Sequence, residues 1–600
     1  MKSIINKFIA GSMIVAAAGA FTACTGDLEQ GPKDPSTVTS GDFSKNPQEY
    51  IAGLMANCYA GMTVSGQGGA GASDITSPDA GMSCYSRAIY MLNEFPTDEV
   101  AWIYYSDAGI EDLVKATWGS DNPVLNLAYS RFYTHIAVCN DFLRNMRNLG
   151  EWGIDPSQLQ DPDGKPMTEV IDQFCLEARA LRAYTYFQVI DFFGRAAVAW
   201  DIDDNGNSIP YGEVPPQAES RAALYNKVVA DLEDVLAKWP ANATPVYGRV
   251  SKDGVRALLA RFYLNEKVFT DGASDAGWKK CWDMCQQIIA DHDKGSFHGL
   301  ASDYLALFGA NNDMFMPGKA TPGNNNEILW GLPYDNMNTQ SYGGSDFLIF
   351  SAIGDFGTRE LTKGFCEKTW YGVQSAWACM HARQQFAELF DFNDKGDRTD
   401  NDARTYLWLT EKAGYTITNE TQSKFTDGYI PIKFTNIPAA ADGTYYRFAD
   451  PGNGLNRVSA AAGATINANF SFCDTDLPLI RLAEVYLMAA EASLHNVGSS
   501  ALGLQYLNYV RQRAGVAPLG IMTGQDVLDE RGRELYWENV RRTDLVRFGR
   551  FAGNNYNWNW KNGTNPGTAI ASYMNVFPIP SAIVASYPAG EYKQNPGYVK

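Results

Sequence analysis

A chain of 600 residues with 45% hydrophobic and 20% charged side chains has material for a sizeable packed core, which excludes disordered and fibrous classes. Its 49 basic and 68 acidic residues leave a net charge of −19, and no basic run is present to neutralise phosphates, so nucleic acid and anionic membrane surfaces are poor partners. The 14 Trp, 32 Tyr and 30 Phe exceed what a core of this size needs, while the five His stand in no metal-ligand spacing, which argues against a zinc hydrolase.

Lys2 and Lys7 precede an apolar run from Phe8 to Ala23, too short to span a bilayer and shaped like a cleaved export signal over 1–23. Cys24 follows small residues at the expected cleavage point, as in a bacterial lipoprotein signal, and is the expected lipidation site. The polar stretch 24–40 reads as a tether, and 41–600 as a single domain. The other cysteines form no regular framework; Cys281 and Cys285, at i, i+4 on a predicted helix, are expected as buried free thiols.

Helical periodicity dominates the chain. Apolar residues at three- and four-residue spacing predict helices over Val124–Leu149, Val170–Phe193, Ala222–Trp239, Val255–Phe269 (entered through Ser251 as N-cap), Lys279–Ile289, Leu479–Leu494, Leu502–Arg513 and Gln525–Val546. Within the last, Glu538 and Arg542 stand at i, i+4, an ordinary helix-stabilising spacing. The fold class expected is mostly α, a tetratricopeptide-like helical-repeat superhelix over about 124–290 and 478–550. Two loop-rich stretches, about 63–121 and 291–472, add Gly, Asn, Asp and aromatics with a few short strands, such as Ile328–Leu332 and Tyr429–Thr435. Loops of that length usually carry function.

Several motifs reduce to bland readings. Gly66 to Gly71 satisfies G-x-G-x-x-G, but follows a helical pattern and opens no helix, so it reads as a loop. Asp201 to Gly206 starts like a calcium loop, but the twelfth position is Gly212, which leaves a surface turn. Asp474-Thr475-Asp476 places two carboxylates on one side of an extended segment; they offer oxygen donors to calcium or, through Asp476, a cap for the helix expected from Pro478, and the two roles are compatible. No nucleophile elbow, kinase or P-loop pattern is present, and the chain is read as a non-enzyme.

Ala178 to Tyr184 with Asp191 to Gly194, Pro478 to Tyr486, the Glu530 to Gly549 segment, and Phe577 to Pro580 with Asn595 to Tyr598 together resemble the SusD/RagB family. The resemblance implies a glycan-binding outer-membrane lipoprotein, lipid-anchored at the cell surface, built on tetratricopeptide-like helices and serving a SusC-type TonB-dependent transporter. Asn93 to Glu99, Tyr342 to Ser345 and Trp558 to Lys561 are similar to segments of a starch-binding member. Carried over by position, Arg87, Tyr104, Asp107, Tyr342 and Trp377 are the implied glycan-binding residues. Asp107 stands where that member has an Asn, and Tyr104 where it has a Trp. The resemblance also implies structural calcium held by Asp313, Asp474 and Asp476, and no organic cofactor. A starch-like glycan is the expected ligand; the alternatives are another glycan or peptides in the same role, or a surface glycosidase.

Sugar rings present apolar C–H faces that stack on flat aromatic side chains, while their hydroxyls need donors and acceptors at the rim. Arg87 and Asp107 are the expected rim groups, and the loop setting of Tyr342 and Trp377 points to exposure.

Overall fold

A computed structural model of the chain describes residues 45–319, 326–352, 372–373, 377–392, 401–409, 427–440, 446–449, 456–459 and 471–598. The export signal 1–23, Cys24 and the 24–40 tether lie outside the described residues. The described residues fall into two compact units, one drawn from 45–55 with 144–172 and the other from 56–143 with 173–598.

The described part of the first unit holds the start of helix α1 (Pro47–Thr63), the end of α3 (Pro123–Arg147), the start of α4 (Met167–Phe193) and the connection between the last two. That connection contains two short 3-10 turns, and Asp155 caps the second by accepting the Ser157 N–H at 3.0 Å.

In the second unit, helix α2 (Tyr85–Asn93) precedes the remainder of α3 and α4, and then α5 (Arg221–Lys238), α6 (Lys252–Leu264) and α7 (Gly277–His292) follow. Ser220 and Ser251 cap α5 and α6, their hydroxyls accepting the N–H groups of Ala223 and Gly254, each at 3.0 Å. In α5, Leu224, Val228, Leu232 and Val235 recur at three- and four-residue spacing and are all buried. Helix α7 closes tightly on α6: a Cβ at Gly277 would stand 2.1 Å from the Tyr263 carbonyl oxygen. Cys281 and Cys285 are buried free thiols with Sγ atoms 4.0 Å apart. Asp203 organises the 201–206 turn by accepting the N–H groups of Asn205 and Asn207 at 2.9 and 2.8 Å.

After a short helix α8 (Ser345–Ala352) within the loop-rich region, the helical series resumes with α9 (Leu482–Ser493), α10 (Ser500–Arg513), α11 (Gly524–Leu535) and α12 (Arg541–Arg547). Helix α9 packs directly on α7, so each helix of the series α5, α6, α7, α9, α10 lies against the next, although the whole loop-rich region separates α7 from α9 in sequence. The fold is mostly helical, and this stacking is the tetratricopeptide-like arrangement.

The described strands form two-stranded antiparallel pairs: β1 (Ala101–Trp102) with β3 (Met380–His381), β2 (Ile328–Leu332) with β8 (Leu477–Arg481), β4 (Trp408–Leu409) with β5 (Ile430–Pro431), and β6 (Tyr446–Ala449) with β7 (Asn456–Ser459). Three elements depart from the sequence expectation. The helix expected to run on to Phe269 ends at Leu264, and Glu266–Phe269 forms a separate turn. Residues 477–481 form a strand, because this apolar run pairs with β2 through Leu477–Leu332 and Pro478–Gly331 partners, so helix α9 starts only at Leu482. The helix expected over Gln525–Val546 breaks between Leu535 and Arg541.

That break has a tertiary cause. Trp537 and Asn539 adopt left-handed φ angles of 60° and 64°. The Trp537 side chain is buried, its backbone N–H donates to a Glu99 carboxylate oxygen at 2.8 Å, and its indole N–H donates to the Glu99 carbonyl at 3.3 Å. The Glu538–Arg542 helical pair consequently does not form: Glu538 takes Arg481 and Lys433 at 2.7 and 2.6 Å, and Arg542 takes Asp191 at 3.1 Å.

Glu538 belongs to a buried ion network that ties the loop-rich region to the helices. Arg481 reaches Glu327 at 2.7 Å and Glu534 at 3.0 Å, Arg513 reaches Glu327 at 2.8 Å and also pairs with Glu534, and Arg404 joins Asp402 and Glu530 at 2.8 and 2.7 Å. Charges this deep persist only when each is matched by a partner of opposite sign.

Candidate functional site

Strand β1 leads straight into Tyr104. The β1–β3 register sets Trp102 opposite Met380, and one further bond, Ile103 N–H to the Cys379 carbonyl at 2.9 Å, extends the pairing toward Trp377. Tyr104 is thereby brought beside Trp377, its hydroxyl 3.5 Å from the Trp377 carbonyl oxygen, and 40% of it is exposed. Burial from one side holds the Tyr104 phenol above its ordinary pKa, which keeps it a neutral donor.

Trp377 is half-buried and anchored through its backbone: its N–H donates to the Phe350 carbonyl at 2.6 Å, and the Cys379 N–H to the Ser351 carbonyl at 2.8 Å. Between them Ala378 takes a left-handed φ of 52°, a conformation that costs an L-residue about 1 kcal/mol and is sustained by those anchors. Tyr342, also half-buried, presents its ring 6.4 Å from that of Trp377, and the Phe472 ring lies 5.3 Å from that of Tyr342. Tyr104, Trp377, Tyr342 and Phe472 thus form a run of partly exposed aromatic side chains drawn from four distant parts of the chain.

A second, buried aromatic layer supports the first. Helix α8 contributes Phe350, edge-on to Trp377 at 5.3 Å, and Phe347, 6.5 Å from Trp377 and stacked on Trp102 at 5.9 Å. The same helix supplies Asp346, which accepts the Cys473 N–H at 2.8 Å and so fixes the segment carrying Phe472; burial pushes the Asp346 carboxyl up to about 7. Tyr342 is placed by the 65–84 loop. Gly81 has a φ of 77°, and a Cβ there would stand 2.3 Å from the Tyr342 carbonyl carbon, a closeness open only to glycine.

Arg87 is placed differently from the expected rim donor. Only 2% of it is exposed. Its guanidinium carbon lies 4.3 Å over the Phe347 ring, and its two Nη groups donate to the Ala80 carbonyl at 3.1 Å and the Asp79 carboxylate at 2.7 Å. It therefore sits beneath the platform and ties α8 to the 65–84 loop. Asp107 is half-buried at the Tyr104 end and accepts the Trp102 indole N–H at 3.0 Å.

The structure brings together Tyr104, Tyr342 and Trp377, with Asp107 at the edge and Arg87 below. Sequence reasoning missed Phe472, for which no local signal exists, and the supporting pair Phe347 and Phe350, whose i, i+3 spacing directly after Tyr342 was the available clue.

The donors around the three carboxylates expected to bind calcium are already matched. Asp313 takes the Lys319 ammonium at 2.8 Å. Asp474 takes the Asn336 N–H and side-chain amide at 3.1 and 2.6 Å, and Asp476 takes the Tyr334 N–H and the Tyr247 hydroxyl at 2.7 and 2.8 Å. Among the described residues no group of three His, Cys, Asp or Glu side chains is gathered to hold a metal ion. As placed, each of these three carboxylates is engaged by a protein donor. Asp476 does not cap α9, because β8 intervenes. Among the described residues no helix is long and apolar enough to cross a membrane.

Comparison with known proteins accords with this architecture. The SusD family profile matches residues 326–598. The chain is 29% identical to the starch-binding protein SusD of Bacteroides thetaiotaomicron across 99% of each protein, and 22% identical to SusD-like protein P2 of Formosa agariphila across 72% of this chain and 73% of that one. Among solved structures, a SusD superfamily protein from Parabacteroides distasonis superposes with a TM-score of 0.60 at 19% identity, covering 94% of this chain and 100% of the other. Surface glycan-binding protein A from Bacteroides thetaiotaomicron, solved in complex with laminarihexaose, gives 0.58 at 17% identity, covering 91% and 99%. The SusD family match thus covers the C-terminal part of the chain, and the likeness to a SusD protein runs along nearly its whole length.

Proposed function

We propose that this protein captures starch-like oligosaccharides without covalent chemistry, at the cell surface, and passes them to a SusC-type TonB-dependent transporter while anchored through a lipid on Cys24. The observation that carries the reading is the row of partly exposed rings, Tyr104, Trp377, Tyr342 and Phe472, standing on a rigid buried layer. Such a surface offers stacking faces to successive pyranose rings, and because the rings are tilted to one another, Tyr342 against Trp377 by 53°, it suits a glycan that turns. The full-length similarity to a starch-binding relative supports starch as the ligand class, and the SusD family match over 326–598 supports the transporter and the anchor.

Affinity electrophoresis through gels containing amylopectin, laminarin or no polysaccharide tests it. The wild type is expected to be retarded by amylopectin, and the Trp377→Ala, Tyr342→Ala double variant to run as in the empty gel while keeping its melting temperature. Retardation by laminarin alone would reassign the glycan, release of sugar products would indicate a glycosidase, and equal retardation of the double variant would remove the platform.

A further inference from the structure

A second aromatic group lies just beyond Tyr104. Tyr105 and Trp560, both half-buried, flank the Lys115 ammonium, which is 5.1 Å from the first ring centre and 5.4 Å from the second. Lys115 also pairs with Glu111, whose side chain is 50% exposed, so a donor over the two rings has an acceptor beside it.

The arrangement is built rather than incidental. The Gly563 N–H donates to the Lys115 carbonyl at 3.1 Å, which fixes the 560–564 turn to the end of the Ile110–Val114 helix. Within that turn Trp560 adopts a φ of 70° and Asn562 a φ of 60°. A bulky aromatic held in the left-handed region and left partly exposed is an unfavourable choice on stability grounds alone, and such outliers gather at binding sites.

Resting on the glycan-binding reading above, we infer that Tyr105, Trp560, Lys115 and Glu111 form a second carbohydrate subsite that takes further pyranose units of a neutral glycan extending past Tyr104. Chain adjacency supports this occupant, since Tyr105 directly follows Tyr104, the residue at one end of the platform. Charge supports neutrality: Glu111 already offsets the Lys115 charge, and a chain of net charge −19 repels an anionic glycan. The rings would stack on sugar faces while the ammonium donates to, and the carboxylate accepts from, sugar hydroxyls.

Calorimetric titration of maltotriose and maltoheptaose into the wild type, Trp560→Ala and Tyr105→Ala tests the subsite. The wild type is expected to bind the heptasaccharide at least tenfold more tightly than the trisaccharide, and each variant to lose at least threefold of that gain with trisaccharide affinity unchanged. If Trp560→Ala does not fold, Tyr105→Ala, at a half-exposed loop position, decides alone. Folded variants that keep the full gain, or a wild type with no gain from length, overturn the subsite. A wild type that binds neither sugar instead refutes the starch reading on which the subsite stands, and that result is read before any variant is made.

Discussion

The Arg87 guanidinium carbon lies 4.3 Å from the centre of the Phe347 ring, while its Nη2 reaches Asp79 at 2.7 Å. Arg87 thereby clamps the loop that places Tyr342 to the helix that backs Trp377. Replacing it with Ala is expected to lower unfolding free energy by about 2 kcal/mol through lost packing and cation–π contact, and to weaken glycan retention in parallel. Asp79→Asn should change stability by less than about 1 kcal/mol, because that carboxylate is largely exposed. Urea denaturation and affinity electrophoresis on the same samples check this; an Arg87→Ala protein that loses binding at unchanged stability would make Arg87 a direct sugar contact.

Gly81 and Gly212 share the left-handed region, with φ of 77° and 81°, but differ in surroundings. A Cβ at Gly212 meets nothing within 4 Å, whereas at Gly81 it collides with the Tyr342 backbone. Gly212→Ala is therefore expected to cost about 1 kcal/mol and leave glycan retention intact. Gly81→Ala should cost at least twice as much and weaken retention, because the backbone that carries Tyr342 must shift. Equal retention in the two variants would separate Tyr342 from the site.

Glu534 is fully buried between Arg481, Arg513 and Arg404. Glu534→Gln keeps its shape but leaves these guanidinium groups short of a negative partner, and a loss of about 3–5 kcal/mol is expected in chemical denaturation. A loss under 1 kcal/mol would show that Glu327, Glu530 and Glu538 suffice to neutralise the network.

Burial pushes the Glu94 carboxyl up to about 7 and drives Glu99, which also faces the Glu94 charge, well up. Between the ordinary carboxylate range and pH 7 the folded chain thus holds a proton that the unfolded chain has released. This contribution is full at acidic pH and falls as pH rises through that window, by at most about 1.4 kcal/mol per pH unit for each group. Glu94→Gln, which stays neutral and retains an acceptor for the Val540 N–H, is expected to gain stability relative to the wild type between pH 5 and pH 7.5. Urea midpoints at the two pH values measure it, and a wild-type-to-variant difference that does not change with pH would mean Glu94 is not protonated in the fold.

What the sequence determined by itself was local. The helices over 123–147, 221–238, 252–264 and 277–292 and the strand Ile328–Leu332 follow from apolar spacing and, for the third helix, the Ser251 cap, signals contained within a few residues. The family resemblance also named Tyr104, Tyr342 and Trp377, which the fold brings together. Tertiary structure alone decided the rest. Arg87 lies beneath the platform because Phe347 and Asp79 claim its guanidinium, Trp537 interrupts a well-patterned helix because Glu99 offers its N–H a buried acceptor, and Leu477–Arg481 is a strand because Ile328–Leu332 needs a partner. Phe472 joins Tyr342 from 130 positions further along the chain. In each case a hydrogen bond, charge or ring contact from a distant segment outweighs a local preference worth less than about 1 kcal/mol per residue, and no pattern within one stretch of chain records which segment will arrive.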